Sequence, residues 1–167
     1  LGDQKQAQKI YPQLNRTIEK ASLVIERHSM EIKRKEKNKW IDDSYFLIGK
    51  ALFYKQEYSE ALEMFAFISR EYDGYITDLS ALWSARIQVE LGNFTTAEQQ
   101  MLYLGREVNF KKRDYALFLE VNANYHIKQK NWKRAVTYLS KAIKYSGDKN
   151  KRVRLTYIIG QIHHRLE

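Results

Sequence analysis

Apolar residues recur at helical spacing along most of the chain. Between positions 42 and 55, Tyr45, Ile48, Gly49 and Leu52 fall at i, i+3, i+4 and i+7, which is one face of a helix. Asp42 or Asp43 suits its N-cap. A second helix is predicted from Ser59 to Tyr72, with Ala61, Phe65 and Ile68 turned inward. The pattern then returns. The stretches KQEYSEALEMF (55–65), LGNFTTAEQQM (91–101) and QKNWKRAVTYL (129–139) share an aromatic residue, Tyr58, Phe94 or Trp132. Each has an alanine three residues later, Ala61, Ala97 or Ala135, and then a large apolar residue, Phe65, Met101 or Leu139. The alanines stand 36 and 38 residues apart, a period that marks a repeated supersecondary unit.

The order aromatic-x2-Ile-Gly-x2-Leu followed by Ala-x3-Phe resembles the tetratricopeptide helix-turn-helix unit. Its logic is steric, because antiparallel helices approach closely only where small residues face each other. Gly49 and Ala61 fill that role in the first unit, with Phe65 occupying the wider space beyond. Ala85, Ala97, Met101 and Leu104 follow in the second, and Ala123, Ala135, Leu139 and Ala142 in the third. The expected fold is all-α, a tetratricopeptide-repeat right-handed superhelical array of antiparallel helix pairs. Its parts are a leading helix (10–36), repeats at 42–73, 78–109 and 115–146, and the first helix of a partial fourth repeat (151–166), in which Gly160 takes the place of Gly49. In the leading helix Leu14, Ile18, Ala21, Ile25 and His28 share a face. Thr95 and Glu98 have the spacing of a capping box. The unit-ending proline of the pattern is missing, its positions being Asp73, Asn109 and Gly147, and turns are expected near DGY (73–75) and SGDKN (146–150). Arrays of this kind need covered ends, so continuation of the native chain past Glu167 is expected.

With 167 residues, 44% of them hydrophobic, and one proline, the composition is that of a chain able to bury a core. The absence of cysteine excludes disulfides and thiolate metal sites. No apolar run reaches the roughly 20 residues of a bilayer span. The net charge of +9 is unevenly placed: residues 1–100 carry 14 Lys and Arg against 15 Asp and Glu, whereas residues 101–167 carry 15 against 5. Such a surplus suits acidic proteins, anionic lipid or nucleic acid, and it suits a plain solvated face equally.

The residues offer no catalytic set. His28, His126, His163 and His164 are the only histidines, and the adjacent pair points about 100° apart around a helix rather than chelating. There is no glycine-rich phosphate loop, and no catalytic residue, cofactor or metal ion is expected. The run KRKEKNKW (33–40) invites a nucleic-acid or phosphoinositide reading, but as a short lysine-rich connector it is equally a soluble loop. Trp132 and Tyr138 beside Lys133 and Arg134 suggest a stacking platform, yet both fall at repeat positions that packing explains.

What remains is a protein-binding groove formed by the first helix of each unit. Its expected residues are Asp43, Phe46, Lys50, Phe53 and Tyr54, then Leu82, Arg86 and Glu90, then Glu120, Asn124, Ile127 and Lys128. Lys50, Arg86 and Asn124 hold equivalent positions, a ladder suited to a peptide backbone or carboxylates. Phe46 stands where a Lys-x3-Asn carboxylate clamp would need its lysine, so a receptor for chaperone tails is not indicated.

Residues 19–54 carry a more specific likeness. His28-Ser29-Met30, the basic connector, Ile41-Asp42-Asp43-x-Tyr45 and Ile48-Gly49-Lys50-Ala51 resemble the PorW/SprE family of gliding-motility and type IX secretion lipoproteins, with the likeness running from about 17 to 101. The resemblance implies an outer-membrane-anchored, periplasm-facing, non-enzymatic scaffold. Its partners would be proteins or peptides, other secretion components among them, with no small-molecule substrate and with membrane contact only through an anchor absent from this chain. The rival expectation is the repeat region of a cytosolic regulator whose basic C-terminal third meets nucleic acid or an acidic protein.

Overall fold

The computed structural model describes residues 9–32, 35–38 and 40–166. They are all-α apart from a two-stranded ribbon. The helices are α1 (Tyr11–His28), α2 (Ile41–Tyr54), α3 (Tyr58–Glu71), α4 (Tyr75–Leu91), α5 (Phe94–Glu107), α6 (Lys112–Lys128), α7 (Trp132–Tyr145) and α8 (Lys149–Leu166). Between α1 and α2, β1 (Glu31–Ile32) pairs antiparallel with β2 (Lys35–Glu36). The chain divides into two compact units, Leu1–Ile87 and Gln88–Glu167.

In the first unit α2 packs on both α1 and α3. The leading helix is shorter than expected, ending at His28 rather than continuing to 36. Glu36 explains the stop. Its carboxylate accepts hydrogen bonds from the Ser29 hydroxyl, from the Met30 backbone N–H at 2.9 Å and from the Asn38 N–H at 2.7 Å, while the Asn38 amide donates to the His28 carbonyl at 3.0 Å. These bonds, the Ser29 hydroxyl foremost, hold the Glu36 carboxyl below its ordinary range. His28, expected on the inner face, is exposed. Of the basic connector, Lys33, Arg34 and Lys39 lie outside the described residues.

The pairing of α2 with α3 turns on a missing methyl group. A Cβ on Gly49 would lie 2.8 Å from Cε1 of Phe65, too close for any real contact, so glycine lets the Phe65 ring come this near to the α2 backbone. Phe65, Ala61 and Ile68 are then fully buried. Ala21, the one buried residue of α1, and the Tyr11 hydroxyl, which donates to the Lys55 carbonyl at 3.1 Å, fix α1 on the other side.

In the second unit α7 packs against α6 and α8. Leu119, Ala123, Ala135, Leu139, Ala142, Leu155 and Ile162 form its core. The small residues expected at repeat positions, Ala97, Ala123, Ala135 and Ala142, are at most 1% exposed. Gly160 departs from that expectation, since a Cβ there would meet nothing within 4 Å.

The clearest sign of repetition lies in the backbone of three turns. Gln56 (φ 66°), Gly92 (φ 79°) and Lys130 (φ 58°) are left-handed. In each turn that residue's N–H bonds to the carbonyl three back (Phe53, Val89, Ile127), and the next N–H bonds to the carbonyl five back from itself (Leu52, Gln88, His126). This pair of bonds is the Schellman helix stop. The alanine of each copy then donates its N–H at 3.0 Å to Glu57, Asn93 or Asn131, closing the first turn of the following helix. The second helices also end alike, with Tyr72, Val108 and Ser146 extended and bonded to the carbonyls of Ile68, Leu104 and Ala142. These extended C-caps end the helices without proline.

Capping differs from the expectation. Asp42 and Asp43 lie in the first turn of α2, whose N-cap is Trp40, and Thr95 lies inside α5, which begins at Phe94. These side chains stand two or three positions past the N-caps, Trp40 and Asn93, and so too late to cap. Among the described helix starts, Asn131 does cap α7, accepting from the Arg134 N–H at 3.4 Å.

Two stability predictions arise from this geometry. Gly49→Ala is expected to lower stability, because overpacking costs about 1–3 kcal/mol against about 1 kcal/mol of gained helix propensity; Gly160→Ala, free of neighbours, should raise it by about 0.5–1 kcal/mol. Denaturant titration showing the same sign for both would contradict the Gly49–Phe65 contact. At the turns, Gln56→Gly and Lys130→Gly should each stabilise by about 0.5–1 kcal/mol and Gly92→Ala should destabilise by about 1–2 kcal/mol, checked by thermal melts of the three variants.

Candidate functional site

The first unit gathers aromatic rings and two cations on one surface. On α2, Phe46, Lys50, Phe53 and Tyr54 stand at i, i+4, i+7 and i+8 and so share a face. Trp83 of α4 is the hub. Its ring centroid lies 5.2 Å from that of Phe53, 5.9 Å from Tyr54, 6.4 Å from Phe46 and 6.2 Å from Phe65. Only 5% of Trp83 is exposed, whereas Tyr54 is 44% exposed and marks the open side.

Both cations rest on this platform. The Arg86 guanidinium lies 4.5 Å from the Phe53 centroid and 4.8 Å from Trp83, with Tyr54 at 5.8 Å. The Lys50 ammonium lies 5.5 Å from the same Trp83 ring and 5.7 Å from Phe46. Each such contact contributes about 0.5–2 kcal/mol, rising with desolvation. Two positive charges thus share one indole. No carboxylate of the described residues forms an ion pair with either. Electrostatics therefore favours an incoming anion here, met by a planar guanidinium and an ammonium.

The remaining groove residues are distributed differently. Asp43 is exposed, and partial desolvation together with the charge of Asp42 raises its carboxyl above the ordinary range. Leu82, expected on the outward face, is fully buried. The reason is that α4 is enclosed on more than one side: Ile76, Ser80, Leu82, Trp83, Ala85, Ile87 and Val89 are all buried, so no single-face period marks its exposed positions. Phe53 is buried as well, contributing its ring rather than an open surface. Trp83, which the reading of the sequence passed over, stands three residues before Arg86 and so on the same side of α4.

In the second unit the expected residues neutralise one another. Glu90 accepts from the Asn124 amide at 2.8 Å and pairs with the Lys128 ammonium at 2.8 Å, while Lys128 also donates to the Glu90 carbonyl at 3.0 Å. Glu120 pairs with Lys151 of α8 at 2.8 Å. Asn124 was expected to continue the ladder of Lys50 and Arg86; its amide is instead engaged by Glu90. Half-exposed pairs of this kind contribute little stability, about 0–1 kcal/mol, but they occupy the donors an anionic ligand would need.

His126 of α6 is buried, its ring stacked on Tyr138 at 5.4 Å and set edge-on to Tyr125 at 5.1 Å. Burial first, then the Arg134 charge, pushes its basicity down, with Glu98 opposing. Among the described residues no group of three or more His, Asp or Glu stands close enough to hold a metal ion, and no helix is long and apolar enough to cross a membrane. The described residues thus form an all-α, helical repeat-like fold with a cationic aromatic surface in its first unit. Neither a family model nor a curated protein matches the chain.

Because folded His126 resists protonation while unfolded histidine does not, its contribution is complete above the ordinary histidine range near pH 6.5 and is lost as pH falls through that value toward the depressed folded one. Melting temperature is therefore expected to fall between pH 7.5 and 5.5. His126→Phe should flatten that slope; an unchanged slope would show that His126 does not carry it.

Proposed function

We propose that the chain is a non-enzymatic, protein-binding scaffold of the tetratricopeptide type, a right-handed superhelical array, serving an envelope secretion assembly of the PorW/SprE kind. The observation that carries the binding role is the Lys50–Arg86 pair: two cations without a carboxylate partner among the described residues, seated on buried rings beside the exposed Tyr54. The three matching Schellman turns and the small-residue contacts support the repeat assignment. In this reading the platform takes an acidic peptide segment of a partner, with carboxylates on Arg86 and Lys50 and an apolar side chain against Tyr54. The secretion role, the periplasmic setting and outer-membrane anchoring rest on the likeness of residues 17–101.

A second reading has its own observation. From Gln129 to Leu166 the sequence holds six lysines and four arginines against one acid, Asp148, whose carboxylate is spent on the Asn150 and Lys151 N–H groups. A cytosolic regulator meeting nucleic acid or an acidic protein would use that face.

A photo-crosslinker at Tyr54 in the native cell separates the two. Lys50→Glu with Arg86→Glu is expected to reduce capture of an envelope secretion component about tenfold or more, with the helical circular dichroism retained. Capture unaffected by the double reversal would remove the platform from the binding site. Capture of cytosolic proteins or nucleic acid would favour the second reading.

A further inference from the structure

A separate cavity lies wholly within the second unit, among α5, α6 and α7. Its volume is about 390 Å³, inside the range of small-molecule sites, roughly 300–1,000 Å³. Three aromatic side chains of α6, Tyr115, Phe118 and Tyr125, and Tyr138 of α7 supply flat apolar walls. Gly105 keeps the α5 side low: a Cβ there would press on the Phe118 ring at 3.3 Å.

The polar groups of the cavity are unevenly signed. Arg106 of α5 and Arg134 and Lys141 of α7 line it, against a single carboxylate, Glu98. None of the three cations forms an ion pair with a carboxylate among the described residues. Two buried polar side chains complete the lining. The Asn122 amide donates to the Phe118 carbonyl at 2.9 Å. The His126 ring carries a buried Nδ1 with no hydrogen-bond partner among the described residues, a polar cost that a purely structural wall would not be expected to retain. The surrounding sequence strengthens the sign, since Asp148 is the one acid between Gln129 and Leu166.

We propose that this cavity binds a small aromatic acid: a body of one to three aromatic rings stacked among Phe118, Tyr125 and Tyr138, with its carboxylate, sulfonate or phosphate held by Arg134, Lys141 and Arg106. The aromatic walls select the body, and the surplus of cations selects the charge. The site is independent of the Lys50–Arg86 platform, so either stands without the other.

Fluorescence titration of the full chain tests the proposal, with 1-anilinonaphthalene-8-sulfonate as the anionic probe and N-phenyl-1-naphthylamine as its uncharged counterpart. One saturable site per chain is expected, at least tenfold weaker for the uncharged probe. Arg134→Gln with Lys141→Gln, two exposed positions of α7, should weaken the sulfonate at least tenfold while leaving the melting temperature and circular dichroism as in the parent. Lys50→Glu with Arg86→Glu should leave the titration unchanged. Equal affinity for both probes, or sulfonate binding indifferent to Arg134 and Lys141, overturns the proposal; so does loss of the signal in the Lys50/Arg86 variant, which would place the probe on the other surface.

Discussion

The absent side chain of Gly49 is the constraint on which the first unit depends. Because α2 presents bare backbone at that point, the Phe65 ring reaches it and becomes fully buried between the two helices. Once fixed, that ring forms the floor on which Phe46 and Trp83 pack, at 5.6 and 6.2 Å. Trp83 in turn carries both cations. A packing requirement between two helices thus sets the position of a charged surface, and the geometry passes through rigid rings rather than through flexible polar links.

The two units use the same local architecture for opposite electrostatic ends. In the first, Lys50 and Arg86 lie over rings and form no ion pair among the described residues. In the second, α6 is tied by Glu90–Lys128, Glu90–Asn124 and Glu120–Lys151, so the corresponding helix face is internally satisfied. Arg106 of α5 and Arg134 and Lys141 of α7, beside the Phe118 and Tyr138 rings, form no ion pair among the described residues. Residues at equivalent repeat positions therefore do not share a role.

The helices and their buried alanines were legible in the sequence because spacing alone sets which residues meet between paired helices. Ala61, Ala97 and Ala135 have no exposure. The surfaces were less so. Leu82 was misplaced because α4 is buried on several sides and its period carries no outward phase, and Trp83 was missed for the same reason. Asn124 was placed on a ladder that its hydrogen bond to Glu90 removes, a contact between residues 34 apart that no local pattern encodes. The end of α1 depends on Glu36 reaching back to Ser29 and Met30, so it too was invisible to a reading of helical period.

The three Schellman turns have a consequence for how such a chain diversifies. Their left-handed positions are held by glutamine, glycine and lysine, and the same hydrogen bonds form in each. The unit is thus inscribed in main-chain bonding, which forms with side chains as different as those of glutamine and lysine at the left-handed position. Copies built this way are able to drift apart in composition while keeping their shape. One can then specialise as a cationic aromatic surface and another as a cavity, with kinship between them legible mainly in the peptide groups.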